Sequence, residues 1–222
     1  MTQMLGFHRL FEPCWCPAAL HGYSVAESQS ALPDAAAEPF AVPVVEATAS
    51  FQGEMYGLSG VWTVYRLSLA LGEGASSLYT IYGALGAQMV IPPAFQAAAP
   101  FGVDIGGTDP QSWGQQADSR YDSWLSVGPV DNEAQSSIAS AGIDFAMWSE
   151  SQELTSDRGA VFWVDAGLAP PSDSAVVAQL TVPQGTIFEA TLSAGGRGPS
   201  GTGDDDWRQT QIVFTNREET PA

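Results

Sequence analysis

Two stretches of the chain gather carboxylates beside glycines. GTGDDDW, at 201–207, carries Asp204, Asp205 and Asp206, and GVDIGGTDP, at 102–110, carries Asp104 and Asp109. Calcium takes its oxygen ligands from acidic, glycine-bearing loops of this kind. Neither stretch has the D-x-D-x-D-G run and distant Glu of an EF-hand loop. On an extended strand, Asp204 and Asp206 point one way and Asp205 the other, so at most two of the three face one ion. The candidate metal ligands are therefore Asp104, Asp109, Asp204 and Asp206, with calcium as the ion. They make a site only if the two loops meet in the fold. Otherwise residues 204–206 are a solvated turn before Trp207.

Catalysis has few tools here. Both histidines (His8, His21) and both cysteines (Cys14, Cys16) fall in the first 42 residues, and the chain contains no lysine. Ser-His-Asp, Cys-His and Schiff-base mechanisms thus lack a candidate in the body of the chain. No G-x-S-x-G elbow, phosphate-binding loop or G-x-G-x-x-G turn is present. A pair of carboxylates suffices for glycoside hydrolysis, and Asp122, Asp144, Glu150, Asp165 and Glu189 lie in or beside expected strands. A carboxylate at a strand end also serves as a turn cap or an edge charge. In PCWCP the two cysteines are too close to bridge each other easily. A Cys14, Cys16, His8, His21 zinc site can be drawn, but its spacing fits no zinc finger, and free or intermolecularly paired thiols remain the alternative.

Aromatic residues offer a third kind of chemistry. Tyr121, Trp124, Trp148, Trp163 and Trp207 lie within or near strands, where an exposed row could stack on sugar rings and a buried one fills a core. In YDSWLSVG, Tyr121 and Leu125 mark one face as core. Trp124 then falls in a second layer or at an interface, and Trp124 and Trp207 are the ligand-binding candidates.

Charge narrows the partners. The 222 residues include 25 acidic and 7 basic side chains, all seven arginines, for a net charge of −18. A field of that sign repels phosphate backbones and anionic membranes, which argues against nucleic acid as a partner. No apolar stretch approaches the roughly 20 residues of a membrane-spanning helix, and the N-terminus, broken by Arg9 and Glu12, lacks a clean signal-peptide core.

These residues need elements to hold them, and the pattern is β. VWTVYRLSLAL places Val61, Thr63, Tyr65, Leu67, Leu69 and Leu71 on one face and Trp62, Val64, Arg66, Ser68 and Ala70 on the other. The first face reads as core and the second as half-covered, with Arg66 wet or paired. VVEATASF, SSLYTIYG, YDSWLSVG, GIDFAMWSE, GAVFWVDAG, AVVAQLTVP, TIFEATLSAG and TQIVFTN bring the strands to about nine, most bounded by glycine, proline or aspartate. Short helical turns fit FQAAA or EAQSSIAS. The crossover helices of a parallel sheet are missing. The chain reads as a jelly-roll-like antiparallel β-sandwich over 44–216. It follows an Ala- and Pro-rich arm or linker at 1–43 and ends in a tail at 217–222.

The succession YTIYG, PPAFQAAAPFGVDIGGTDP, YDSWLSVG, GIDFAMW, GAVFWVDAG, VVAQLTVPQG, GGRG and DDW, spanning about residues 60–214, resembles β-rich modules of marine microalgal proteins. More loosely, it is similar to modules of secreted bacterial proteins. The resemblance implies a β-sandwich in a cell-surface or secreted setting and carries no activity with it. The expected function is a non-catalytic binding or structural module facing a protein or glycan surface. A subunit of a self-associating sheet, shell or coat, and a carbohydrate-binding or carbohydrate-active module, are the alternatives.

Overall fold

The computed structural model describes residues 38–132, 134 and 136–217. Residues 1–37 of the expected arm, with His8, Cys14, Cys16 and His21, and residues 218–222 of the expected tail lie outside the described residues.

Among the described residues, eleven strands form two antiparallel sheets. The four-stranded sheet has the order β1 (Ala41–Gln52), β2 (Val61–Leu71), β9 (Ser174–Pro183) and β5 (Trp124–Leu125). The seven-stranded sheet is centred on β10 (Glu189–Gly196), with β11 (Trp207–Thr215) on one side. On the other side lie β3 (Thr80–Tyr82) and β4 (Met89–Ile91), one after the other. β8 (Ala160–Trp163) pairs with β3, β7 (Leu154–Ser156) with β4, and β6 (Ile138–Ala141) with β8. The main core fills the space between the sheets. Leu67, Leu69, Val177, Leu180 and Val182 from the first meet Ile81, Ile91, Val161, Leu192 and Phe214 from the second, all buried. This is an all-β sandwich.

Eight of the nine expected strands are present. GIDFAMWSE is not a strand: Phe145–Met147 is a 3₁₀ turn. Trp148 is buried and donates its Nε1–H to the Pro92 carbonyl at 2.9 Å, Ile143 and Phe145 pack partly buried against the core, and Met147 is exposed. The short strands β4, β6 and β7 are additions. Strand β6 takes up residues 138–140 of EAQSSIAS, the segment expected to turn helically. The other expected turn, FQAAA, contains no helix, whereas 3₁₀ turns form at Pro110–Gly114 and Ala117–Tyr121.

β3–β4 and β8–β7 form one ladder interrupted in the middle, where 83–88 faces 157–159. Gly83 makes the interruption possible. A Cβ there would lie 1.9 Å from the Ser156 carbonyl oxygen, and the Gly83 N–H donates to the Gly159 carbonyl at 2.8 Å. Residues 84–87 close a two-residue hairpin with reciprocal 2.9 Å bonds between Ala84 and Ala87, and its tip residue Leu85 is 84% exposed.

β1 begins at Ala41, ahead of Val44, and is an edge strand with a bulge between Ala47 and Ala49. Its first residue is occupied from the second sheet. The Gln209 side chain accepts from the Ala41 N–H at 3.0 Å and donates to its carbonyl at 2.8 Å. Pro43, two residues on, supplies no donor on that side.

Candidate functional site

β2 shows both expected faces. Leu67 and Leu69 enter the main core, while Trp62 and Val64 form a second, smaller cluster with Phe51 and Phe95 on the opposite face. That outer face is covered over only part of its length. The segment 92–123, between β4 and β5, lies over the Phe51–Trp62 end. Phe95 donates its N–H to the Thr181 carbonyl at 2.8 Å, and Tyr121 stacks on Phe51 with ring centroids 4.0 Å apart. Toward the start of β1 the same face is open. The cross-strand rows Val42–Ala70–Ser174 and Val44–Ser68–Val176 carry no charge, and Val42 and Val44 are 48% and 43% exposed.

At the boundary between the covered and open halves runs the row Glu46–Arg66–Gln179–Trp124, one residue from each strand. Gln179 is 3% exposed and fully used. Its Nε2 donates to the carbonyls of Arg120 (3.1 Å) and Asp122 (2.7 Å), and its Oε1 accepts from Arg66 Nε at 3.0 Å. The Arg66 guanidinium lies over the Trp124 ring, 5.2 Å from the centroid. Cation–π contact and a charge-assisted hydrogen bond offset part of the cost of desolvating the cation. Burial still pushes the Arg66 pKa down from the ordinary guanidinium value. Its Nη groups make no hydrogen bond to a described acceptor, and neither is a buried, unpartnered atom, so both face solvent. Among the described residues the one carboxylate–guanidinium pair within 4.0 Å is Arg197–Asp206, which leaves Arg66 without an ion pair. Arg66 thus sits half-buried, with Gln179 as its hydrogen-bond partner and no ion pair.

Asp122 anchors the covering segment. It is 1% exposed and accepts from the N–H groups of Ala97 (2.8 Å) and Val103 (2.6 Å), at the two feet of the 98–102 turn. Burial pushes its carboxyl up to about 7 against those donors, and the nearby Asp104 adds to the rise. Asp104 lines a cleft of about 270 Å³ with Gln96, Val103, Phe145 and Trp148.

The remaining acidic candidates have local partners. Asp109 caps the 3₁₀ turn at Pro110–Gly114 by accepting from the Gln111 N–H at 2.8 Å. Asp206 accepts from Arg197 at 3.0 Å and from the Tyr79 hydroxyl at 3.0 Å. Asp205 accepts from the Ser200 N–H and hydroxyl, which hold its pKa below the usual carboxylate range, and Asp204 accepts from Thr202 at 3.2 Å. Residues 204 and 205 form a turn, so strand alternation does not apply to them. Gly203, at φ +96°, leaves room for Arg197, since a Cβ there would meet its Nη1 at 2.3 Å. Among the described residues no group of three acidic, His or Cys side chains is arranged to hold a metal ion.

Trp124 and Trp207 are 1% and 2% exposed. Neither indole presents a face to solvent; Trp124 lies beneath Arg66, and Trp207 donates its Nε1–H to the Ser77 carbonyl at 3.2 Å. Sequence reasoning placed Arg66 at a wet or paired position on the half-covered face without giving it a role, and it passed over Gln179. The period-2 alternation of β9 does place Gln179 opposite its apolar neighbours, which is the available signal.

Compared with known proteins, the chain matches no family model, no curated protein and no solved structure.

Proposed function

We propose that this chain is a non-catalytic binding module whose working surface is the half-covered outer face of the four-stranded sheet. The observation that carries this reading is the fixed, solvent-facing guanidinium of Arg66 at the margin of an uncharged sheet face. A guanidinium held at Nε and stacked on a ring has lost its rotamer freedom before any ligand arrives, and such preorganisation lowers the cost of binding. The chemistry of the body agrees with a non-catalytic role, because residues 38–217 contain no histidine, cysteine or lysine. Lateral strand-to-strand assembly is less well supported at β1. Gln209 already fills its first pairing position, and Pro43 and the bulge blunt the rest of the edge.

The test is an array of neutral and acidic glycans and peptides, probed with the wild type and with Val44→Glu and Leu85→Glu, two exposed substitutions on different faces. Binding that is lost in Val44→Glu and kept in Leu85→Glu supports the reading. Hydrolysis of glycosides or esters on a chromogenic panel, abolished by Asp122→Ala in a folded protein, overturns it.

A further inference from the structure

We infer that Arg66 anchors a carboxylate-binding subsite on the outer face of the four-stranded sheet, with the ligand's carboxylate received by the two Nη groups and its apolar part lying over Val44 and Val176. The inference rests on the reading of that face as the working surface. Three observations carry it.

First, the guanidinium is oriented by groups that leave its outer edge free. Nε is committed to Gln179 at 3.0 Å, the ring of Trp124 supports one face, and the Nη pair makes no hydrogen bond to a described acceptor. A planar fork in this state matches a carboxylate bidentately, which a mobile surface arginine does only at the cost of side-chain entropy. Second, its support is itself fixed: Gln179 is held by two backbone carbonyls from the covering segment. Third, the surroundings are selective. The next row toward the open end is Val44–Ser68–Val176, uncharged, and the cross-strand neighbour Glu46 is exposed and forms no ion pair with Arg66. Glu46 is therefore the natural competitor for the guanidinium. The net charge of −18 disfavours general accumulation of anions, so a carboxylate bound here is bound by local contact.

The experiment follows the Arg66 Nε–H resonance and the backbone amides of Val44 and Ser68 in ¹⁵N-labelled protein. Propanoate and glucuronate are titrated as aliphatic and sugar carboxylates, with propanamide and sodium chloride at matched ionic strength as controls. The expected result is a saturable shift with at least one carboxylate and none with propanamide or chloride. A response to one acid alone assigns the source. Arg66→Gln should abolish the shift, and Glu46→Gln should tighten binding by roughly two- to five-fold, since it removes one like charge near the site. Equal shifts with chloride overturn the proposal, as does binding that is unchanged or weakened in Glu46→Gln. If Arg66→Gln fails to fold, the chloride and Glu46→Gln comparisons decide the matter. Outer-face amides that respond to propanamide but not to either acid dismiss the carboxylate subsite while leaving the binding face standing.

Discussion

Arg66 and Trp124 meet across the four-stranded sheet without being adjacent in it. Gln179 of β9 stands between them in the row and holds the guanidinium at 3.0 Å while it lies over the indole. One buried amide therefore fixes both a cation and the edge of the covering segment.

Gln179→Leu should expose that dependence. It leaves the Arg120 and Asp122 carbonyls and Arg66 Nε without their partner, and each buried group so stranded costs about 1–3 kcal/mol. The expected loss is roughly 3 kcal/mol in urea unfolding, with a changed near-ultraviolet signal from Trp124. A loss below about 1 kcal/mol would show that water replaces the amide.

The Asp122 carboxyl makes stability depend on pH. Its folded-state value of about 7 lies above the unfolded value near 4, so the folded protein binds the extra proton between those limits. The stability it contributes is fully present below pH 4 and is lost as pH rises through 7. Wild type should therefore lose stability relative to Asp122→Asn between pH 5 and pH 8, by up to roughly 3 kcal/mol. Parallel pH profiles for the two proteins would refute this.

Gly196 sits where a side chain has no room. A Cβ would lie 1.7 Å from the Ser77 carbonyl oxygen and 2.7 Å from Trp207 Nε1. Gly196→Ala should cost about 3 kcal/mol or more, because strand backbone has to move. Gly114, with nothing within 4 Å of its added Cβ, is the control, and Gly114→Ala should stay within about 0.5 kcal/mol.

The acidic loop should prove to be closed by its own partners. Asp206→Asn breaks the bonds to Arg197 and weakens that to Tyr79, for about 0.5–1 kcal/mol, an effect that should shrink in high salt. Millimolar calcium should leave the melting temperature where chelator leaves it. A clear rise would revive the metal site, since a ligand of the folded state alone must stabilise it.

The sequence made the long strands legible because each carries a sustained alternation: β2 showed its two faces, and even the odd position of Arg66. The short strands β4, β6 and β7 were not legible, since three or four residues hold too little period to separate from loop and, unlike β3, β5 and β8, none of them carries an aromatic residue. GIDFAMWSE misled for a related reason. Its aromatic content reports burial, and an irregular segment can bury Trp148 as well as a strand can. Most of the site was hidden because it depends on register. Glu46, Arg66, Gln179 and Trp124 are scattered through the chain and share a row only once four strands are aligned.

The interrupted ladder gives the molecule a place to be lengthened. Each half of the β3–β4 and β7–β8 pairing is pinned separately, and Gly83 and Gly159 close the base beneath the Leu85 tip. A foreign peptide spliced between Leu85 and Gly86 would emerge from a hairpin tip outside both paired halves, at the expense of the 3.4 Å bond from Gln211 to the Gly86 carbonyl. The sandwich can thus serve as a display scaffold, with cargo carried on the seven-stranded sheet and the opposite sheet left free.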